Sequence, residues 1–536
     1  MQHFKNLLGK KPVLSKDFSL PREHISTPLN IPVSKFSLKE LQKVLSKTES
    51  CKAFGPDNLP PIIWKDENFH TLLLKLCNLA FEENICPSHW LKSTIVPVPK
   101  KGDLSVATNY RGISLLPIAA KIYNKLLLNR ISPHTKPILR INQNGFRRGR
   151  STLTQILALR RILEEARNFN LEAIFVFVDF KKAFDSVDRD KMFDILSLYG
   201  IPPKIINAIK LLYTDTKSSV QTSDGETDTF PIQAGILQGD TLAPFLFITV
   251  IDYIMRVSVD KNSNCGFLLE RRLGPRNPAT YVTDADFADD IVLISSCIEN
   301  AQKPLAALES ASNCVGLYLN DLKTEFLTLN TIDPLAQIKT LSGTCLKKVS
   351  DYTYLGSHIS SSENDYKIRK ALTWSACNKL HKIWSSRLLS SDLKIKVFQT
   401  CIEPILLYGS ETWTLTKKQE TRLDGTYTRL LRRVRNLSWR DHPTKATIYG
   451  SLKPISTILK ARRVRFAGHC FRASEIISPL LLWKPKLVAQ RSRQLTYPEV
   501  ICRDTGLARQ DLGTAMRDRD SWRQRVESIV STAVEQ

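Results

Sequence analysis

Three aspartates stand where metal-assisted chemistry could be built. Asp179 closes an apolar β-branched and aromatic run, Ala173-Ile-Phe-Val-Phe-Val-Asp179, and Asp289-Asp290 sit between two further apolar runs 110 residues downstream. If both elements join one sheet, the carboxylates converge at its edge. Packed carboxylates repel, and divalent cations relieve that repulsion; paired cations of this kind serve phosphoryl transfer. Each fragment alone reads as structural, because aspartate is a common turn and strand-end residue. The case therefore rests on the elements around them.

The run ending at Asp179 reads as a strand buried on both faces, since it is continuous rather than alternating. A helix follows, with Asp188 as its N-cap and Gly200-Ile-Pro-Pro203 as its stop. Thr283–Ser296 reads as two strands joined at Ala288-Asp-Asp290. Upstream, Ser93–Pro99 and Gly112–Leu116 read as strands, Phe69–Phe81 as a helix, and Ser37-Leu-Lys-Glu40 as a capping box. Phe54-Gly-Pro-Asp-Asn58 reads as a turn. Residues 1–35 are polar and proline-punctuated, which suggests a linker. Beyond Asp365 the pattern turns helical, with Trp374, Leu380, Trp384, Leu388 and Leu389 at helical spacings. The alternation of strands and helices between them predicts a mixed α/β core.

The charge points to the partner. The chain of 536 residues carries 77 Lys+Arg against 52 Asp+Glu, a net charge of +25, so a polyanion is the expected ligand. Lys92–Arg150 holds twelve basic residues and one acid, Asp103; Thr421–Arg472 holds thirteen against Asp424 and Asp441. Two basic blocks thus flank the segment with the clustered aspartates, as in a protein that grips a phosphate backbone on both sides of its chemistry. Eleven scattered cysteines without a Cys-x-x-Cys pair argue against a disulfide framework, a disulfide-linked partner or a four-ligand zinc site. His469 and Cys470 lack two further ligands at suitable spacing. No signal-peptide core opens the chain, and its longest apolar stretch, Leu242–Met255, is short for a membrane span and contains Asp252. A soluble, intracellular protein without a membrane partner is expected.

Eight segments in order resemble the reverse transcriptases of LINE-type (non-LTR) retrotransposons. Phe287-Ala-Asp-Asp290 resembles their F/Y-A-D-D box, and Phe177-Val-Asp-Phe-Lys-Lys-Ala-Phe-Asp185 their first palm motif. Gly235-Ile-Leu-Gln-Gly-Asp-Thr-Leu-Ala-Pro-Phe245 resembles the nucleotide-contacting motif between them. Gly316-Leu-Tyr-Leu-Asn-Asp-Leu-Lys-Thr324 and Tyr352-Thr-Tyr-Leu-Gly356 are similar to the next palm motif and the primer grip. Ile95-Val-Pro-Val-Pro-Lys-Lys-Gly-Asp103, Asn109-Tyr-Arg-Gly-Ile-Ser-Leu-Leu-Pro117 and Asn142-Gln-Asn-Gly-Phe-Arg-Arg-Gly-Arg-Ser-Thr152 resemble finger motifs of this branch. Viral RNA polymerases usually carry Gly-Asp-Asp where this chain has Ala288-Asp-Asp290. The finger segments favour the LINE type over group II intron maturases, and telomerase would carry an upstream RNA-binding domain.

The resemblance implies an α+β right-hand polymerase. Basic fingers and a palm with a small antiparallel sheet would span residues 54–356, after an N-terminal linker or extension, 1–53. A helical thumb (357–430) and a basic, mainly helical C-terminal region (431–536) would follow. It implies an RNA-directed DNA polymerase that binds an RNA template, a DNA primer or target and dNTPs. Asp179, Asp289 and Asp290 would be the catalytic and metal-binding residues for two Mg²⁺ ions, with Mn²⁺ as a substitute. Arg111 and either Lys100 or Lys101 would clamp the triphosphate. Phe184 would exclude a ribose 2′-hydroxyl, and Gln238 and Gly239 would approach the nucleotide. Lys323 would act on the leaving pyrophosphate. Tyr354, Leu355 and Gly356 would grip the primer, while Arg147, Arg148 and Arg150 would bind template. Arg432-Arg-Val-Arg435 and Arg462-Arg-Val-Arg-Phe466 are expected to contact phosphates of template or target, and Trp374, Trp384 and Trp439 are candidates for base stacking. The resemblance begins within the first 60 positions and leaves no room ahead of it for an endonuclease domain, so a fragment or a truncated copy is expected; a co-opted copy that only binds nucleic acid is the alternative. Action in the nucleus is expected, with a cytoplasmic ribonucleoprotein stage.

Overall fold

The computed structural model describes residues 2–11, 23–100, 102–272, 274–331, 333, 335–486 and 495–531. Its centre is a five-stranded sheet made of β3 (Ala173–Val178), β5 (Asp284–Phe287), β6 (Asp290–Ser295), β7 (Glu325–Leu329) and β8 (Lys347–Val349). The spatial order is β8-β7-β3-β6-β5. Every neighbouring pair is antiparallel except β7 and β8, so the expected antiparallel palm sheet carries one parallel edge strand. A second sheet forms the finger side: β1 (Lys92–Pro99) pairs antiparallel with β2 (Tyr110–Leu115) and parallel with β4 (Lys217–Thr222).

The apolar run before Asp179 is buried throughout because both faces of the central sheet are covered. Ile174, Val176 and Val178 enter a core shared with Leu246, Val250 and Ile254 of helix Ala243–Ser258. Ala173, Phe175 and Phe177 point the other way, into a core with Leu159 and Ile162 of helix Thr152–Phe169 and with Val464 and Trp522 from the far end of the chain. The C-terminal region therefore packs on the palm. A third core, around Trp384, Trp413 and Tyr427, holds together the helices between Ser362 and Tyr449 and the start of helix Ile455–Arg472.

Local signals behave as their chemistry dictates. Ser37 and Glu40 form the capping box, and Asp188 caps the helix Arg189–Leu198 by accepting from the Lys191 amide. Two expectations change. Residues 2–8 form α1 (Gln2–Leu8), with Phe4 and Leu8 buried, where polar composition suggested a linker. The Leu8 carbonyl accepts from the amides of Gln233 and Ala234 (2.8 and 3.3 Å), so two apolar contacts and two backbone bonds hold the segment. Leu388 does not continue the helical face of Trp384. The helix ends at Ser385, Ser390 caps the next one, and Leu388 is 97 % exposed. All eleven cysteines are free. No helix among the described residues is long and apolar enough to cross a membrane.

Candidate active site

The central sheet brings the three aspartates to one edge. β5 and β6 form a hairpin whose register pairs Phe287 with Asp290, leaving Ala288 and Asp289 as a two-residue turn. Ala288 takes φ 58°, the positive value such turns require. β6 pairs antiparallel with β3, Ile291 opposite Val178, and the next step of that register sets Asp290 beside Asp179. Burial and the Asp179 charge push the Asp289 carboxyl up, against the opposing pull of Arg111. Asp290 is pushed up to about 6, first by desolvation and then by the charges of Asp289 and Asp179. Asn320 donates its side-chain amide to Asp179 Oδ2 at 2.9 Å, and the Asn320 backbone amide donates to the Asp179 carbonyl at 2.8 Å.

A cleft of about 730 Å³ opens over this edge. It is lined by Asp179 and Asp289 on the palm side, and by Lys100, Arg111, Phe184, Gln238, Gly239 and Lys323. Eight of the residues singled out from sequence thus share one cavity. Asp290 is not among its lining residues; its charge reaches the site from beside Asp179. Lys101 lies outside the described residues. Lys100 is held below the usual lysine range by burial and by the like charges of Arg111, Lys323 and Lys182, with Asp185 opposing them. One part of the cleft therefore gathers cations and another gathers carboxylates.

The elements that shape the cleft are tightly fitted. Phe184 stacks on Phe247 with ring centroids 4.1 Å apart, and Phe146 meets its edge at 6.0 Å. Its ring belongs both to the packed interior and to the cleft wall. Gly239 has φ +114°, and a Cβ there would meet the Ser114 carbonyl at 2.4 Å, so the loop can approach β2 only with glycine. Gln238 donates its amide to Asp185 Oδ1 at 2.9 Å, and its carbonyl accepts from the Ser114 amide at 2.6 Å. Burial pushes the Asp185 carboxyl up to about 6, although Gln238, Lys182, Lys100 and Arg111 favour its charged form.

The Tyr352–Gly356 segment supplies one strand and the turn of a short hairpin, Thr353–Tyr354 against Ser357–His358, behind the aspartate turn. Leu355 and Gly356 occupy its turn with φ 48° and 77°. Tyr354 is buried, and its hydroxyl donates to the carbonyls of Ala285 and Asp290 at 3.1 and 3.3 Å. Tyr352 stacks on Phe177 at 3.7 Å. The turn carbonyls are held from the thumb side, Leu355 by the Tyr408 hydroxyl and Gly356 by Arg369.

The Asn142–Thr152 segment does something the sequence reading missed. Gln143 accepts from the Ala288 amide at 2.8 Å and donates to its carbonyl at 3.2 Å, clasping the aspartate turn. A Cβ on Gly145 would lie 2.2 Å from the Ala288 nitrogen, which explains the glycine. Arg147 and Arg150 bond backbone carbonyls within their own loop, and Arg150 also reaches Glu475 at 3.8 Å; Arg148 is exposed. Buried Arg140 joins Asp284 and Asp286 at 2.7 and 3.0 Å and reaches Asp260 at 2.8 Å. Against a burial that would raise it, Arg140 holds Asp284 below the usual carboxylate range, while burial and the Asp284 charge push Asp286 up. Two acids at i and i+2 on a buried strand demand a buried cation. That signal was legible, but its partner lies 144 residues away.

Trp384 is not a stacking surface: it is buried and donates its indole N–H to the Cys377 carbonyl at 2.8 Å. Trp374 is half-buried and packs against the thumb core; the Trp439 side chain lies outside the described residues. Cys470 is buried, and among the described residues no three His, Cys, Asp or Glu side chains stand ready to enclose a metal ion. Two carboxylates with open coordination remain a fitting donor set for Mg²⁺, which takes hard oxygens and completes its shell with water and substrate phosphates.

This sheet, with a carboxylate edge beneath basic fingers and a helical thumb beyond, has the architecture of a right-hand nucleic-acid polymerase. The family profile described as reverse transcriptase (RNA-dependent DNA polymerase) matches residues 98–359. The chain is 28 % identical over 301 residues to the Pol polyprotein of the type-1 retrotransposable element R2 of Nasonia vitripennis, covering 56 % of this chain and 27 % of that protein. It is 23 % identical over 433 residues to the RNA-directed DNA polymerase from the mobile element jockey of Drosophila melanogaster, covering 78 % and 46 %. A transposon-derived protein of Caenorhabditis elegans is 30 % identical over 217 residues, 38 % of this chain and 77 % of that protein. The chain belongs to the reverse transcriptase family, in its LINE-type (non-LTR) branch. It spans about a quarter of the R2 protein's length and less than half of the jockey protein's. Reverse transcriptases of this family use divalent metal ions.

Proposed function

We propose that this chain is an RNA-directed DNA polymerase that extends a DNA primer with dNTPs on an RNA template. One observation carries the reading: carboxylates at the strand-end edge and a set of cations line the same cleft, Asp179 and Asp289 with Lys100, Arg111 and Lys323. Nucleotidyl transfer needs both, because the nucleophile and leaving group are held at metal-bound carboxylates while the triphosphate charge is neutralised by fixed cations. Asp179 and Asp289 would hold two Mg²⁺ ions, with Mn²⁺ as a substitute; when bound, they supply Lewis acidity at the attacking and leaving oxygens.

The remaining roles belong to the chain. Asn320 orients the Asp179 carboxylate. Asp290 tunes the pair from beside it. Arg111 offers a bidentate fork to the triphosphate, and Lys100 and Lys323 offer point charges. Lys323 is exposed on the cleft wall, free to swing toward a leaving pyrophosphate. Phe184 supplies a flat wall backed by Phe247, which is why a 2′-hydroxyl would clash there. The tight hairpin at Tyr354, Leu355 and Gly356 would seat the primer end, and exposed Arg148 would meet template phosphate.

Primer extension on poly(rA)/oligo(dT) with dTTP and Mg²⁺ tests the reading. Extension that requires Mg²⁺ is expected. No extension by folded protein that still binds the template–primer would leave only the nucleic-acid-binding alternative.

A further inference from the structure

The basic stretch near residue 465 builds something more definite than a charged surface. α2 (Ile455–Arg472) and α3 (Arg519–Ser531) cross in close contact. A Cβ on Gly468 would lie 2.4 Å from the Trp522 ring, and the buried Trp522 indole donates to the Val464 carbonyl at 2.8 Å. This crossing is the floor of an open pocket of about 1180 Å³, walled by Arg465, Phe466, His469, Arg472, Arg519 and Arg523. Arg462 also lines it, as do three acids, Glu411, Asp520 and Glu527. Two of the acids are already neutralised, Glu411 by Arg462 and Glu527 by Arg523 at 3.0 Å.

The remaining cations have no such match. Arg465 and Arg519 are exposed and have no hydrogen-bond or ion-pair partner among the described residues. Arg472 donates to the Met516 carbonyl, and burial and the charge of Arg519 hold it below the usual arginine range. Like charges gathered at one concavity favour an anion. By contrast, Arg435 in the other arginine run is committed to the Ile448 and Tyr449 carbonyls and to Ser391.

Phe466 and His469 form one wall, their rings within 28° of parallel with centroids 6.5 Å apart. Aromatic faces beside arginines suit a strand whose bases are unpaired. The volume is also too large for a lone phosphate. Leu153, on the pocket's rim, lies in the first turn of the helix that follows the loop clasping Ala288.

We propose that this pocket is a second nucleic-acid site, outside the catalytic cleft. It holds a single strand by phosphates on Arg465, Arg472 and Arg519 and by a base against Phe466 and His469. The site goes beyond the polymerase reading and needs no turnover.

Fluorescence anisotropy with the full chain tests it, using end-labelled mixed-sequence RNA and DNA strands of about 14 nucleotides. Titrations run over a KCl series. Arg465→Gln with Arg519→Gln should weaken binding at least tenfold and make the log K against log salt slope shallower by about 1.4, since each single-strand phosphate contact contributes about 0.7. Phe466→Ala should lose about tenfold with an unchanged slope. Tighter RNA binding would identify the occupant as template, and tighter DNA binding as target strand. The double variant, folded by its thermal midpoint, binding both strands with wild-type affinity and slope would overturn the proposal. So would loss of all binding in Arg111→Ala with none in the pocket variants, which would leave the cleft as the strand site. Primer extension by the wild-type chain is scored separately: no extension together with binding that depends on the pocket arginines would fail the polymerase reading and leave the pocket standing.

Discussion

Two rings and two carboxyls make the most exposed claims at the scale of single residues. Phe184 is backed by Phe247 and cannot retreat, so Phe184→Ala should admit ribonucleotides. The ratio of dTTP to UTP incorporation should fall by about tenfold or more, a transition-state difference of at least ~1.4 kcal/mol; an unchanged ratio would remove the gate from this residue. Asp289 and Asp290 are raised carboxyls, and the sign of their pH effect follows. The folded protein binds their protons more tightly than the unfolded chain does, so Asp290 lowers stability as pH rises through about 6 and Asp289 acts in the same direction. Asp290→Asn should therefore raise the metal-free thermal midpoint at pH 8 by roughly 1–2 °C and have little effect at pH 4. Extension by the wild-type protein should fall as pH drops below about 6, because Asp290, which stands beside the metal-holding pair, then becomes neutral. Thermal scans at the two pH values and a pH–rate profile check both signs.

At the scale of elements, the decisive part is the clasp on the aspartate turn. Gly145→Ala would drive a methyl group into the Ala288 backbone, which no rotamer can relieve. Overpacking of this kind costs about 1–3 kcal/mol, and extension should fall along with the thermal midpoint. Gln143→Ala removes the two bonds to Ala288 without a clash and should reduce extension with a smaller loss of stability. The strand before Asp179, the aspartate hairpin and the capped helices were all legible in sequence, because period, turn chemistry and capping are local. The clasp was not. Arg147 and Arg150 looked like ligands for a template because basic residues in a glycine-rich loop show their charge and conceal their partners, here backbone carbonyls and Glu475. α1 was also hidden: seven residues with two buried apolar side chains are too short for periodicity to register.

For the whole molecule, long-range buried ion pairs tie the C-terminal half to the palm. Arg160 on helix Thr152–Phe169 reaches Asp365, Thr412 and the Ser357 hydroxyl, and Asp365 also accepts from Trp413 at 2.8 Å. Arg160→Leu strands a buried carboxylate and should cost about 3–5 kcal/mol, with part recovered when Asp365→Asn is added. Full additivity in urea melts would contradict the coupling. Sequence marked the helical stretch after residue 365 but not its attachment, since a buried arginine and a surface arginine look alike in a basic chain. The net charge of +25 also predicts that template affinity falls steeply with salt.

If the carboxylate edge holds the cations, neutralising Asp289 must stop the reaction. Asp289→Asn keeps the turn, the size of the side chain and the clasp, and removes one negative charge from the cleft. Steady-state extension of oligo(dT) on poly(rA) with Mg²⁺ should drop by at least about a thousandfold, with template–primer affinity within about twofold of wild type. Wild-type extension by Asp289→Asn would contradict the account.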